Sequence, residues 1–146
     1  MIKIVKATYE DSLGLAQMNK QLIEDEGHTN PMTVGELSKR MEGWLTSDWE
    51  AAFFELEDTR IGYALYQWRS DAFAPKQRFI YLRQFFVDRS HRRKGIGSQA
   101  FRSARESLWL DACRVEIEVL TTNATGVAFW RSLGFTDYSL SLKLGS

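Results

Sequence analysis

No stretch limits the fold of this chain more than residues 79–98. Phe79 to Val87 is a run of aromatic and β-branched residues with the composition of a strand. A basic turn follows, Asp88-Arg-Ser-His-Arg-Arg-Lys94, and Gly95 and Gly97 then open a helix with Phe101, Ala104 and Leu108 on its inner side. Beyond it Val115, Ile117 and Val119 alternate with Glu116 and Glu118, so a strand is expected over Val115–Leu120. Strand, helix and strand in this order make a parallel crossover. The expected fold class is therefore α/β.

The same segment has the makings of an anion site. Glycine lets a ligand approach the main chain closely. The first N–H groups of a helix have no partners within it and lie at the positive end of its dipole. Arg92, Arg93 and Lys94 add positive charge. A dinucleotide fingerprint does not fit, because position 100 is Ala and the first glycine follows a basic turn. A P-loop fails for want of Gly-Lys-Ser/Thr.

The other elements follow from patterning. Ile2 to Thr8 alternates as a first strand. Thr8 and Asp11 have capping-box spacing before a helix that carries Leu15, Met18, Leu22 and Ile23 and ends at Gly27. A second helix is expected from Thr33 to about Leu45. Ala51–Leu56 and Ile61–Trp68 read as a hairpin around Glu57-Asp-Thr-Arg60. Asn123 suits the cap of a helix that Gly134 stops. Tyr138, Leu140, Leu142 and Leu144 alternate with polar residues as a last strand. At 146 residues, one domain over 1–146 is expected.

Arg92-x-x-Gly95-x-Gly97 resembles the pyrophosphate loop of the GCN5-related N-acetyltransferases, the GNAT family. Asn123-Ala-Thr-Gly-Val-Ala-Phe129-Trp130-Arg-Ser-Leu-Gly134-Phe135 is similar to that family's second signature: an Asn at a helix start, an aromatic pair, then Leu-Gly-Phe. The resemblance implies the GNAT fold, a mixed, mostly antiparallel sheet with a central splayed pair of parallel strands and flanking helices. It also implies an N-acetyltransferase that moves an acetyl group from acetyl-CoA, as co-substrate, to a primary amine. Attack would be direct, in a ternary complex, with no metal.

Residue by residue, the resemblance sets acetyl-CoA in the gap between the two parallel strands. The pantetheine arm would lie against the main chain of Phe86 and Val87. The pyrophosphate would rest on Arg92, Arg93, Lys94, Gly95, Ile96, Gly97 and Ser98. The Val87 N–H would face the thioester oxygen, and Asn123 would touch the pantetheine arm or cap its own helix. Two departures stand out. Trp130 occupies the place of a Tyr that in many members protonates the thiolate, and an indole N–H is no usable acid. Arg83-Gln84 occupies the place of a strand carboxylate. Candidate bases are Glu24, Glu26, Glu118 and Tyr81, the last through water. Trp44, Trp49, Trp68 and Trp130 would suit an aromatic acceptor pocket. The departures also leave an alternative, an acyl-CoA-binding sensor or interaction module without turnover.

Charge points the same way. Residues 1–58 hold twelve acids and five bases, a net of −7, whereas residues 59–105 hold eleven bases and two acids, a net of +9. An anionic ligand suits the middle of the chain and a cationic amine, small molecule or peptide, suits the first third. A pI of about 6.7 and the lack of a binding motif argue against nucleic acid. No apolar run nears the ~20 residues that span a bilayer, and the N-terminus does not read as a signal peptide. The single cysteine, Cys113, shares no ligand spacing with His28 and His91, so neither a disulfide nor a metal set is expected. The expected setting is cytoplasmic, without a membrane partner, and exposed C-terminal strands would suit a homodimer.

Overall fold

The computed structural model describes residues 1–27, 29–92 and 94–145. In chain order the elements are β1 (Lys3–Lys6), a 3-10 turn (Tyr9–Asp11), α1 (Ser12–Asp25), α2 (Val34–Leu45), β2 (Trp49–Leu56), β3 (Thr59–Ser70), β4 (Arg78–Val87), a second 3-10 turn (Arg89–His91), α3 (Ile96–Ser107), β5 (Val115–Ile117) and α4 (Ala124–Ser132). The sheet runs β1-β2-β3-β4-β5. Its pairs are antiparallel except β4–β5, which is parallel.

Local chemistry sets the boundaries. The Thr8 N–H donates to Asp11 Oδ2 at 2.8 Å, closing the expected capping box. Thr33 and Glu36 form another at the start of α2. Glu57 and Asp58 turn the β2–β3 hairpin with φ of 51° and 64°, the left-handed pair that matches strand twist.

Two apolar layers clasp the sheet. On one face Leu15, Leu22 and Met41 from α1 and α2 bury against Phe53, Tyr63, Leu65 and Phe86. On the other, Ala100, Phe101 and Ala104 of α3 join Phe54, Tyr66, Ile80, Leu82, Val87 and Trp109, with Trp130 of α4 packed beside them.

The feature that shapes the site is a bulge in β4. Leu82 pairs with Tyr66 and Gln84 with Leu65, which leaves Arg83 as an extra residue. A bulge bends its strand and inverts the alternation of faces. Accordingly Ile80 and Leu82 face α3 before it, and Phe85 and Val87 face α3 after it. The pairing of β4 with β5 stops at Leu82–Ile117, just before the bulge. This is why β5 ends at Ile117 and not at Leu120.

One expected element is missing. Residues 138–144 form no strand, and Tyr138, Leu140, Leu142 and Leu144 are exposed. Alternation supplies a face but not a ladder, and the neighbouring β5 is only three residues long. Among the described residues, no helix is long and apolar enough to cross a membrane.

Candidate active site

Where β4 and β5 part, main-chain groups are left over. The Asp88 N–H donates to the Ile61 C=O at 2.8 Å. Gly62 and Val87 are therefore a non-hydrogen-bonded pair, and the N–H and C=O of Val87 turn away from β3. The C=O accepts from Arg92 Nε at 2.8 Å. The N–H lies beyond the last β5 pairing. Gly62 makes this close approach of the strands feasible, since a Cβ there would stand 1.9 Å from the Phe86 carbonyl oxygen.

The start of α3 follows a few residues later. Its N-cap is Gly95, at φ 74°, and no side chain caps it. The helix's first-turn N–H groups, from Ile96 to Ser98, precede its first bond, from Gln99 N–H to Gly95 C=O at 3.1 Å. Gly97 also answers a packing need. A Cβ there would meet the Phe129 ring of α4 at 3.1 Å, so this glycine makes room for a neighbouring ring.

The basic side chains are largely engaged within the protein. Asp25, at the end of α1, is buried between two arginines. Arg89 Nε donates to its Oδ1 at 2.6 Å, and Arg92 Nη2 donates to its Oδ2. Lys94 is exposed, and Arg93 lies outside the described residues.

A cavity of about 370 Å³ opens between the diverging strands and reaches α1. Tyr81, Glu118, Glu26, Asn123 and Trp130 all line it, whereas Glu24 is exposed and off the lining. The Tyr81 hydroxyl donates to Glu118 Oε1 at 2.7 Å. Burial first, then Glu118, pushes the Tyr81 pKa up to about 12. The phenol thus keeps its proton at neutral pH and is no base by itself.

Asn123 caps α4, accepting from the Gly126 N–H at 3.0 Å. Trp130 sits among Phe85, Phe101, Phe129 and Phe135, with ring centroids 4.9 to 5.9 Å away. Gln84, where a carboxylate was sought, accepts from the buried Tyr63 hydroxyl at 2.8 Å. Trp68 lies off the cavity, its ring 4.7 Å from the Arg78 guanidinium carbon. Cys113 is also off its lining.

Three residues escaped the sequence reading. Asn19 and Arg40 line the cavity, and Arg40 Nη2 donates to Asn19 Oδ1 at 3.1 Å. Asp25 ties α1 to the basic turn. A signal for it existed: Glu24-Asp-Glu26 puts carboxylates at a helix C-terminus, where the dipole disfavours them unless outside cations answer. The acidic first third does not make an acidic cavity. Of its twelve acids only Glu26 is on the lining, with Arg40 beside it.

Comparison with known proteins agrees with this architecture. The model of the acetyltransferase (GNAT) family matches residues 19–135. No curated protein matches the sequence. Among solved structures, one described as a possible acetyltransferase from Clostridium difficile 630 has 17% identity and a TM-score of 0.81, covering 100% of this chain and 97% of its own. A predicted acetyltransferase with acetyl-CoA from Clostridium acetobutylicum has 18% identity and a TM-score of 0.73, covering 99% and 96%. An aminoglycoside acetyltransferase from an uncultured soil metagenomic sample, in complex with sisomicin, has 15% identity and a TM-score of 0.73, covering 99% and 95%.

Proposed function

The chain belongs to the GNAT acetyltransferase family, and from that premise we propose that it carries an acetyl group from acetyl-CoA to a primary amine by direct attack in a ternary complex. The observation that carries this reading is the parting of β4 from β5 at Arg83, which leaves the Val87 N–H without a strand partner a few residues ahead of the uncapped start of α3. The pantetheine arm would lie against Phe86 and Val87. The pyrophosphate would rest on the N–H groups of Gly95, Ile96, Gly97 and Ser98, with Arg93 and Lys94 adding charge. Acetyl-CoA supplies an activated acyl carbon and a thiolate leaving group.

The Val87 N–H would stabilise charge on the thioester oxygen, an effect worth about 3–4 kcal/mol for one oriented donor. An amine of pKa near 10.4 is neutral in only about one molecule in a few thousand at pH 7, so its proton must be taken. In this reading the Tyr81 oxygen receives it while passing its own proton to Glu118, the carboxylate it already bonds. Trp130 supplies no proton. The thiolate, of thiol pKa about 8.5 by analogy with cysteine, leaves without an acid from the protein.

Acetyl-CoA at 100 times its Kd should stabilise the protein by about 2.7 kcal/mol in a thermal unfolding experiment. No shift with millimolar acetyl-CoA on folded protein overturns the proposal. Trp130 and Gln84, in place of a phenol and a carboxylate, favour the rival of binding without turnover. A thermal shift without thiol release for any amine would select that rival. In the same reading the setting is cytoplasmic, and a homodimer would use the exposed apolar side chains of residues 138–144. Sedimentation of the chain with and without those residues tests the dimer.

A further inference from the structure

Resting on that amine-transfer reading, we propose that the acceptor carries a carboxylate as well as its amine, and that Arg40 and Asn19 hold the carboxylate on the α1–α2 wall of the cavity. Two observations lead there. Asn19 Nδ2 and Arg40 Nε are both buried without a hydrogen-bond partner, and both residues line the cavity. A buried donor left unpaired is costly, and more so when it is charged. A planar carboxylate has two oxygens to accept from a guanidinium edge and an adjacent amide.

The second observation is a pair of like charges set close together on a lining that also holds Glu26 and Glu118. The Arg40 guanidinium carbon lies 4.6 Å from the Trp44 ring centroid, and that of Arg83 lies 5.0 Å from the same ring. Two like charges share one indole, and each disfavours the other. Among the described residues Arg40 has one hydrogen-bond partner, the neutral Asn19. An anionic group seated here answers both guanidiniums and both unpaired donors. Across the cavity Glu118, with Tyr81, stands ready for the ammonium end. The lining is thus matched to an amino-acid-like zwitterion. A polyamine would set its second ammonium against Arg40 and Arg83.

The test pairs acceptors that differ in one group. Thiol release from acetyl-CoA is measured with free amino acids, α- and ω-amino, each against its own carboxamide. The acid should be preferred by about 100-fold or more in kcat/KM, because a site built to bond a group rejects the analogue lacking it. Arg40→Met should bring the acid-to-amide ratio to within about threefold of one, and Arg40→Lys should restore part of it. Arg83→Gln, at an exposed side chain that does not threaten folding, should lower the ratio about tenfold. A parallel measurement needs no turnover: calorimetric binding of N-acetyl amino acids and N-acetyl amides to CoA-saturated protein. Equal use of acids and amides, preference for diamines, or a ratio untouched in folded Arg40→Met overturns the inference and leaves amine transfer standing. Acid-selective binding without thiol release supports the inference and removes amine transfer instead.

Discussion

The two sides of the candidate site offer their polar groups by different means. Past the bulge in β4 and at the start of α3, off the cavity lining, the donors left over by strand and helix pairing belong to the main chain, at Val87 and over Ile96 to Ser98. The side chains there are occupied with one another, Arg89 and Arg92 with Asp25. Along α1, α2 and β5 the polar groups are side chains: Asn19, Arg40 and Glu118, with Tyr81 reaching across from β4. A main-chain wall survives most substitutions, because every residue but proline brings the same N–H. A side-chain wall changes its chemistry with a single replacement.

That contrast can be broken in four ways. The largest effect is expected at Glu118→Gln, which should slow the chemical step by about 10²- to 10⁴-fold in single turnover. Acetyl-CoA affinity should hold, and a matching loss of affinity would show that the walls are not separate. Next is Gly62→Ala, where the new Cβ would lie 1.9 Å from the Phe86 carbonyl oxygen. Stability should fall by about 2–4 kcal/mol in urea titration, with acetyl-CoA affinity falling alongside. Wild-type behaviour would mean that β3 does not position Val87.

A smaller effect concerns Tyr81, whose pKa is pushed up to about 12 in the folded protein, above the ordinary value of 10.0. The stability contributed by its neutral phenol is whole below pH 10 and is lost as pH rises from 10 towards 12. Absorbance titration should show this phenol ionising late, and Glu118→Gln should move it back only in part, since burial is the larger cause. The smallest effect belongs to the exposed Lys94. Lys94→Ala should weaken acetyl-CoA binding by no more than about threefold at physiological salt. A larger loss would make side chains, and not the main chain, the principal holders of that ligand.

What the sequence disclosed divides along the same line. The basic turn and its glycines are local, and local patterns can be read one residue after another. So could the caps at Thr8 and Asn123, which act over three residues. The bulge at Arg83 could not, because the β4 residues packed on the α3 side occur at even positions before it and odd positions after it, and an aromatic run hides the change. Asn19 meets Arg40 across 21 positions and Asp25 meets Arg92 across 67, distances that no periodicity spans. The expected last strand is absent for a related reason. Its alternation was real, but pairing depends on an edge elsewhere in the molecule.

Asp25 closes α1, the helix that also carries Asn19. One helix therefore carries Asn19 on the cavity lining and Asp25 against the turn that precedes α3. On the proposed reading, the same helix borders the sites of both ligands. By reciprocity, any factor by which acetyl-CoA tightens the grip on an amine is the factor by which that amine tightens the grip on acetyl-CoA. If the proposed ternary complex forms, either order of arrival reaches it at the same total free energy, and a preferred order is a matter of rates alone.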